Sequence, residues 1–473
     1  MSEDWKAGLV RIIRPNGSTA GTGFVLSEDG LAVTCSHVIQ DYRSQGSGEP
    51  KPEGVNIVFQ CNGATRNAAV DPLLWRRADA EDVAFFKVEG TLPEGVKALP
   101  LGGSKGSRKH HVFTFGFPEV NSKAGIAADG HVVGETAVRN FRVLQISSAQ
   151  ITPGFSGAPI WDEASRRVIG MVTMIAEPDE HGRLHETAFI TPSETLRVIL
   201  PSLQLEDVCP YRGLNVFTEA HAEFFFGRER IVAKIADKLR RDPKFLAIFG
   251  PSGSGKSSLI QAAVIPRLRK GQMVGFDHCG VICTRPGHGN LFTAPFVREW
   301  LSQHSEQKRL VASVDQFESM IANYPEPLRK EAVHQLAVLL EEDLPVTLLL
   351  VMRDDFYSSF AKEAPALLER VERGSVVNVS PTLGLDELTA IVREPARVVG
   401  LDFESGLIDA ILKDVVGPGL GCEQEGQCGP STALPLLEFA LTELWERRKD
   451  GLLTHDAFHS LGGVTGALAG RAN

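Results

Sequence analysis

Hydrophobic positions change their spacing partway along this chain. Up to about residue 200 they come in short runs, four to nine residues long, broken by glycine turns: "LVRIIR", "GFVLS", "LAVT", "VNIVF", "DVAFFKV", "HVFTFGF", "FRVLQIS", "RVIGMVTMI" and "ETAFIT". Short β-runs with turn signals between them predict an antiparallel barrel or sandwich. From about residue 215 long amphipathic stretches such as "RERIVAKIADKLRR" alternate with fully apolar runs, "FLAIFG", "RLVASVD" and "PVTLLLVMR". Apolar runs alternating with helices predict a parallel sheet covered on both faces. The expected organisation is therefore a domain over 1–200, a linker over 201–217 and an α/β core over 218–385. A helical subdomain over 386–473 follows, and the chain stops there with the texture of a break between domains.

Composition narrows the function classes. A length of 473 residues exceeds one ordinary core, and 43% hydrophobic residues suit a globular protein. No apolar run reaches the roughly 18 residues of a membrane span, and the acidic start "MSEDWKAGLVRIIRPNG" is not a secretory leader. A net charge of −10 argues against nucleic acid as a partner. Seven scattered cysteines without a leader read as reduced thiols, hence a cytoplasmic setting. "DHCGVIC" and "CEQEGQC" lack the paired spacing of a zinc site and read as buried or loop thiols.

The stretch "GFSGAPIWD" (154–162) poses the first chemical question. Glycine and serine make turns for ordinary backbone reasons. A serine between glycines also suits an exposed nucleophile, with the Gly154 and Ser156 N–H groups as an oxyanion hole that Pro153 cannot join. Such a serine needs a base and an acid. "GLAVTCSHVIQD" places His37 after an apolar strand, at the start of a short helix, and "DAEDVAFFKVEG" places Asp82 at the head of a β-run. His37 would take the Ser156 proton while Asp82 fixes the tautomer and stabilises the imidazolium.

With these residues in place, "TCSHV", "GFSGAPI" and "GTGFVLSEDGLAVT" resemble the chymotrypsin-type serine proteases, close to their Deg/HtrA-like branch, over about residues 5–200. The resemblance implies an all-β double barrel and a protein substrate. It puts Thr173 where the family has a hydroxyl supporting the triad aspartate. Phe155 stands where secreted trypsins carry the aspartate that receives a freed N-terminus, so activation by N-terminal cleavage is not expected. Gln150 stands at the position of trypsin's acidic specificity residue, so selectivity for Arg or Lys is not expected.

The second half carries the most specific local motif, "FLAIFGPSGSGKSSLIQAAV": an apolar strand, then Gly250-x-x-x-x-Gly255-Lys256-Ser257, then a helix. A P-loop of this kind cradles phosphates with the backbone N–H groups of Ser252, Gly253, Ser254 and Gly255 and the helix start at Ser258. Lys256 would reach the β- and γ-phosphates, and Ser257 would ligate Mg²⁺. An acidic residue is expected on a neighbouring strand. "RLVASVDQFES" supplies Asp315 for Mg²⁺, with Glu318 first and Gln316 second as the group polarising the attacking water. Arg353, ending "VTLLLVMR", reads as a γ-phosphate sensor or as a surface ion pair with Asp354 or Asp355.

The segments "PYRGLNVFTEAHAEFFFGRERIVAKI", "VDQFES", "MRDDFY", "REPAR" and "ALPLLEFALTELWERR" together resemble the novel STAND NTPases, AAA+-related signal-transduction ATPases, over about 210–473. That resemblance implies ATP and Mg²⁺ as cofactors, with Gly227 and Arg228 on the adenine side and Pro435 packing near the adenine. It also implies homo-oligomerisation on ATP binding and a role in bacterial defence or signalling. Relatives continue into a winged helix and a repeat sensor; this sequence is expected to stop before both, either as a fragment or because sensing is done elsewhere. An ATP-gated protease is the leading expectation. A signalling scaffold with a peptide-binding pseudo-protease and an AAA+-type remodeller feeding the protease are the alternatives.

Overall fold

The computed structural model describes residues 4–43, 54–118, 123–176, 184, 186–286, 292–416 and 433–469. The chain divides into two compact units, Met1–Val208 with Val398–Gly400, and Cys209–Arg397 with Leu401–Asn473. The span 201–217 read as a linker is ordered chain. Leu203, 8% exposed, packs into the first unit's core, while Tyr211 and Phe217 are buried in the second. Apolar side chains at these positions hold the segment against its neighbours.

The first unit consists of two antiparallel barrels. The first barrel closes in the order β1 (Leu9–Ile13), β2 (Thr19–Val25), β3 (Leu31–Thr34), β6 (Val83–Val88), β5 (Thr65–Arg76), β4 (Val55–Phe59). The second closes in the order β10 (Pro159–Asp162), β11 (Arg167–Ile175), β12 (Thr187–Pro192), β9 (Phe141–Ser147), β8 (Ile126–Val138), β7 (His111–Gly116). A short helix α1 (Ser36–Arg43) follows β3, and α2 (Ser193–Ile199) follows β12. Two strands escape the hydrophobic pattern. In β5 the ladder slips between Val70 and Trp75, around Pro72, which has no N–H to donate. In β8 the inward positions include Ala128 and Gly130, too small to read as a hydrophobic alternation.

The second unit is built on a parallel sheet ordered β14 (Cys279–Thr284), β15 (Arg309–Val314), β16 (Val346–Arg353), β13 (Phe245–Gly250), β17 (Val376–Asn378). Every residue of β13 and all but the last of β16 are buried, as a sheet covered on both faces requires. Helix α3 (Glu229–Arg241) packs on one face through Val232, Ile235 and Leu239. The P-loop helix starts as α-helix at Lys256–Ser258, is π-helical over Leu259–Val264 and returns to α-helix at Ile265–Arg269. Pro266, with no N–H, sits just past the π-helical turns. The carboxyl-terminal region adds helices α4 (Leu385–Val398) and α5 (Ala433–Glu446) and a small parallel pair, Asp402–Phe403 with Leu452–Leu453. "DHCGVIC" lies on β14 with Cys279 buried, while "CEQEGQC" falls outside the described residues. None of the five described cysteines is in a disulfide, and no described helix is long and apolar enough to cross a membrane.

Candidate active site and nucleotide pocket

The barrels bring His37, Asp82 and Ser156 together from positions far apart in sequence; all three line one cavity of about 660 Å³. His37 sits in the first turn of α1. Asp82 precedes β6 in a left-handed conformation, φ +55°, which aspartate tolerates better than most side chains. This twist buries its carboxylate to 5% exposure and aims it at the helix start. Asp82 Oδ2 lies 2.6 Å from His37 Nδ1, and Oδ1 accepts the His37 backbone N–H at 3.0 Å. Nδ1 is engaged by the carboxylate, so the base role falls to Nε2.

The hydroxyl supporting Asp82 is not the one expected. Thr173 bonds to the Met171 carbonyl and to Thr191, on the neighbouring strand, and not to the aspartate. Ser36 donates to Asp82 Oδ1 at 2.7 Å instead and is fully buried. Strand pairing of β11 with β12 absorbs the threonine, and the residue beside the base takes over its role. "TCSHV" contained the signal, a serine directly before the histidine.

Ser156 lies in the loop between β9 and β10. Gly154 has φ +104°, and a Cβ there would stand 2.6 Å from Pro118 Cα, so only glycine fits. The Phe155 N–H is used, donating to the Thr152 carbonyl at 3.2 Å. The Gly154 and Ser156 N–H groups donate to no described residue. Two unengaged amides flanking an engaged one are the arrangement an oxyanion hole needs. The first barrel holds this loop: Thr22 on β2 donates its backbone N–H to the Ser156 carbonyl and its hydroxyl to the Gly154 carbonyl, both at 3.0 Å.

Phe155 is fully buried in the second barrel's core, where an N-terminal ammonium has no carboxylate to meet. Gln150 accepts the Asp129 N–H and does not line the cavity. Met174, Ile175 and Phe189 line it instead, an apolar surface. Cys35 approaches the pair, its sulfur within 4.8 Å of the His37 and Asp82 ligand atoms. Burial pushes its thiol well above the ordinary range, and the sulfur bonds to the Val172 carbonyl at 3.2 Å. A protonated thiol beside a directly bonded His–Asp pair is a packing residue of a proton-transfer site, not a metal-ligand set.

A second cavity, of about 250 Å³, lies within the second unit and is bounded by Ser252, Gly253, Gly255, Lys256, Ser257 and Ser258 of the loop. Gly255 has φ +81°, the left-handed turn from which the helix starts. Gly250 and Ser254 shape the loop without lining the cavity: Lys256 Nζ donates to the Gly250 and Pro251 carbonyls at 2.7 and 2.8 Å, and the buried Arg228 guanidinium donates to the Ser254 carbonyl. Burial lowers the Lys256 ammonium below its ordinary range, against the pull of Glu318, Asp354 and Asp315.

Asp315 does not lie on the strand beside the P-loop strand, as expected; β16 is inserted between β13 and β15. The carboxylate still reaches the loop, its Oδ1 accepting the Ser257 hydroxyl at 2.9 Å. Adjacent hydroxyl and carboxylate oxygens at a phosphate loop fit Mg²⁺, a hard cation that prefers oxygen donors. Arg285 reaches Asp315 Oδ2 at 3.3 Å, a contact no motif signalled. Gly250 pairs in register with Arg353, which puts that arginine at the loop's edge. Its guanidinium is engaged by Asp355 through bonds of 3.0 and 2.6 Å, the ion-pair reading, although the residue also lines the cavity. Glu318 lines the cavity and accepts the Arg353 N–H at 3.3 Å; Gln316 lines it too. Pro435 and Arg228 also line the cavity, Arg228 held to the loop by its bond to Ser254, whereas Gly227 packs against α4 and does not line it. Phe217 and Phe224–Phe226 add aromatic side chains to the lining, a contribution only the triple-phenylalanine run could have signalled.

Residues 210–473 match the family model described as Novel STAND NTPase 1, and residues 21–171 match that of a trypsin-like peptidase domain. Among solved structures, the chain is similar to an HtrA-type protease, AlgW with a decapeptide. The identity is 17% and the TM-score 0.31, over 46% of this chain and 70% of that one. No curated protein matches.

Proposed function

The chain belongs to the novel STAND NTPase 1 family and has a trypsin-like peptidase domain preceding the matched region, and from that premise we propose that it is an ATP-gated serine endopeptidase. The observation that carries the peptidase half is Asp82 bonded to His37 Nδ1 at 2.6 Å, on the cavity that also holds Ser156, whose own amide and that of Gly154 donate to no described residue. In this reading Ser156 Oγ attacks the scissile carbonyl and His37 Nε2 takes its proton. Asp82 stabilises the imidazolium, and the Gly154 and Ser156 N–H groups hold the oxyanion. His37 then returns the proton to the leaving amine, and a second cycle with water frees the acyl group.

The gate is the second unit. Ser257 and Asp315 would hold Mg²⁺, Lys256 and the loop amides would hold the β- and γ-phosphates, and Glu318 would orient the attacking water. When bound, Mg·ATP supplies a γ-phosphate whose presence or loss distinguishes two states. ATP favours the proteolytic state only by binding it more tightly than the resting one. A cytoplasmic role in bacterial defence or signalling, with oligomerisation on ATP binding, is the setting the STAND resemblance suggests.

The test is cleavage of proteins encoded beside this chain, with and without Mg·ATP, by wild type, Ser156→Ala and Lys256→Ala. Nucleotide-dependent cleavage by wild type alone is expected. Equal cleavage by wild type and Lys256→Ala would leave two independent enzymes on one chain.

A further inference from the structure

The nucleotide cavity is lined by one ionisable side chain that the phosphate and Mg²⁺ assignments do not use. Glu438 lines the cavity and is only 8% exposed. It lies on α5 one turn after Leu434, so the two share a helix face. Leu434 stands against Gly255 of the phosphate loop, and Gly213 lies against Thr442, one further turn along. The face therefore runs from the phosphate loop past Glu438 to the 213–217 segment that borders the cavity. Glu438 Oε2 accepts the Arg212 N–H at 3.2 Å. Its other oxygen has no hydrogen-bond partner among the described residues. A carboxyl oxygen without a protein partner on a cavity wall is available to hydrogen-bond a ligand.

Taking this cavity as the ATP site, we propose that Glu438 reads the Watson–Crick edge of the base as a neutral carboxyl, donating its proton to adenine N1 while Oε2 stays on the Arg212 N–H. A neutral carboxyl offers a donor that matches an acceptor such as adenine N1. A carboxylate offers only acceptors and would instead suit the N1–H and N2–H₂ donors of guanine. Burial favours the neutral form and raises the Glu438 carboxyl to about 7. The groups facing it on the segment packed against α5 are Arg212, whose N–H and guanidinium oppose that rise, and Tyr211 and Cys209, both held neutral by burial. Arg228, across the cavity, is committed to the Ser254 carbonyl. The site thus selects ATP over GTP by the protonation state of one side chain.

Equilibrium binding of fluorescent ATP and GTP analogues to the full chain between pH 6 and 8.5 tests this, with melting curves confirming that each variant is folded. Wild type is expected to prefer ATP, with affinity falling several-fold as pH rises through about 7. Glu438→Gln, whose amide keeps a donor and an acceptor, should hold wild-type ATP affinity at pH 6 and lose the excess pH dependence; phosphate and Lys256 titrations are common to both proteins and cancel. Glu438→Leu should weaken ATP by about 10-fold or more and narrow the ATP-to-GTP ratio. Wild-type ATP affinity in Glu438→Leu, loss of affinity in Glu438→Gln equal to that in the leucine variant, or a wild-type preference for GTP would each overturn the proposal alone. Absence of any Lys256-dependent ATP binding by wild type would overturn the nucleotide-site reading itself, and this inference with it.

Discussion

The two candidate sites are assembled in opposite ways. The nucleotide cavity is centred on one short segment, 252–258, all of which lines it except Ser254 and whose amides would face a bound phosphate. The peptidase site is made of three side chains at 37, 82 and 156, and each depends on a partner from another element. A backbone-built site tolerates side-chain change outside its lysine and metal donors. A side-chain-built site fails when any supporting bond is lost, and this contrast can be tested by substitution.

Ser156→Ala should have the largest effect: proteolysis falls by about 10⁴-fold or more and fluorophosphonate labelling disappears, with melting temperature unmoved. Undiminished labelling would remove the peptidase half of the comparison. Lys256→Ala removes one charged ligand group from a site otherwise made of amides. ATP affinity should fall by about 10- to 100-fold in a binding titration, while fluorophosphonate labelling of Ser156 persists.

Ser36→Ala sharpens the contrast, because it deletes a bond one step removed from the chemistry. kcat should fall by about 5- to 30-fold with KM little changed, and Ser36→Thr should restore part of it. An unchanged kcat would mean that the two His37 contacts alone suffice to hold Asp82.

Glu438 brings a side-chain dependence into the backbone-built site. Its folded carboxyl, raised to about 7, binds protons that the unfolded chain releases near the ordinary value of 4.5. The Glu438 contribution to stability of the unliganded second unit is therefore fully present below about 4.5 and is lost as pH rises toward 7. Glu438→Gln should raise its melting temperature at pH 8 and change it little at pH 5. Smallest of all, Asp355→Asn breaks an exposed pair with Arg353 and should leave the chemical-denaturation midpoint almost unmoved.

The same contrast explains what the sequence revealed. The P-loop was legible as a segment because glycine, lysine and serine spacing encodes local backbone geometry directly, although Gly250 and Ser254 turn their carbonyls to Lys256 and Arg228 and do not line the cavity. His37, Asp82 and Ser156 were legible as candidates because each sits at a strand end. Their support was not. Whether Ser36 or Thr173 reaches Asp82 depends on how β11 pairs with β12, and one alternating strand looks like another until its partner is known. Asp315 was found from its apolar run, but the insertion of β16 beside β13 is a matter of sheet order, which no run of residues records. Glu438 was hidden because a carboxyl within "LPLLEFALTELWE" looks like the polar face of a helix. Only the packing of α5 against 211–213 buries it.

Thr22 gives the peptidase a property beyond catalysis. Its two bonds tie the nucleophile's loop, which belongs to one barrel, to a strand of the other. Docking of the two barrels thus adds to the bonds from Phe117 and to Val172 that hold this loop within its own barrel. On the proposed function, an excursion that parts the barrels, short of unfolding either, would lower turnover without altering a catalytic residue. In native-state hydrogen exchange the Thr22 amide should open in the same cooperative step that lowers turnover, well before the β13 amides of the second unit begin to exchange.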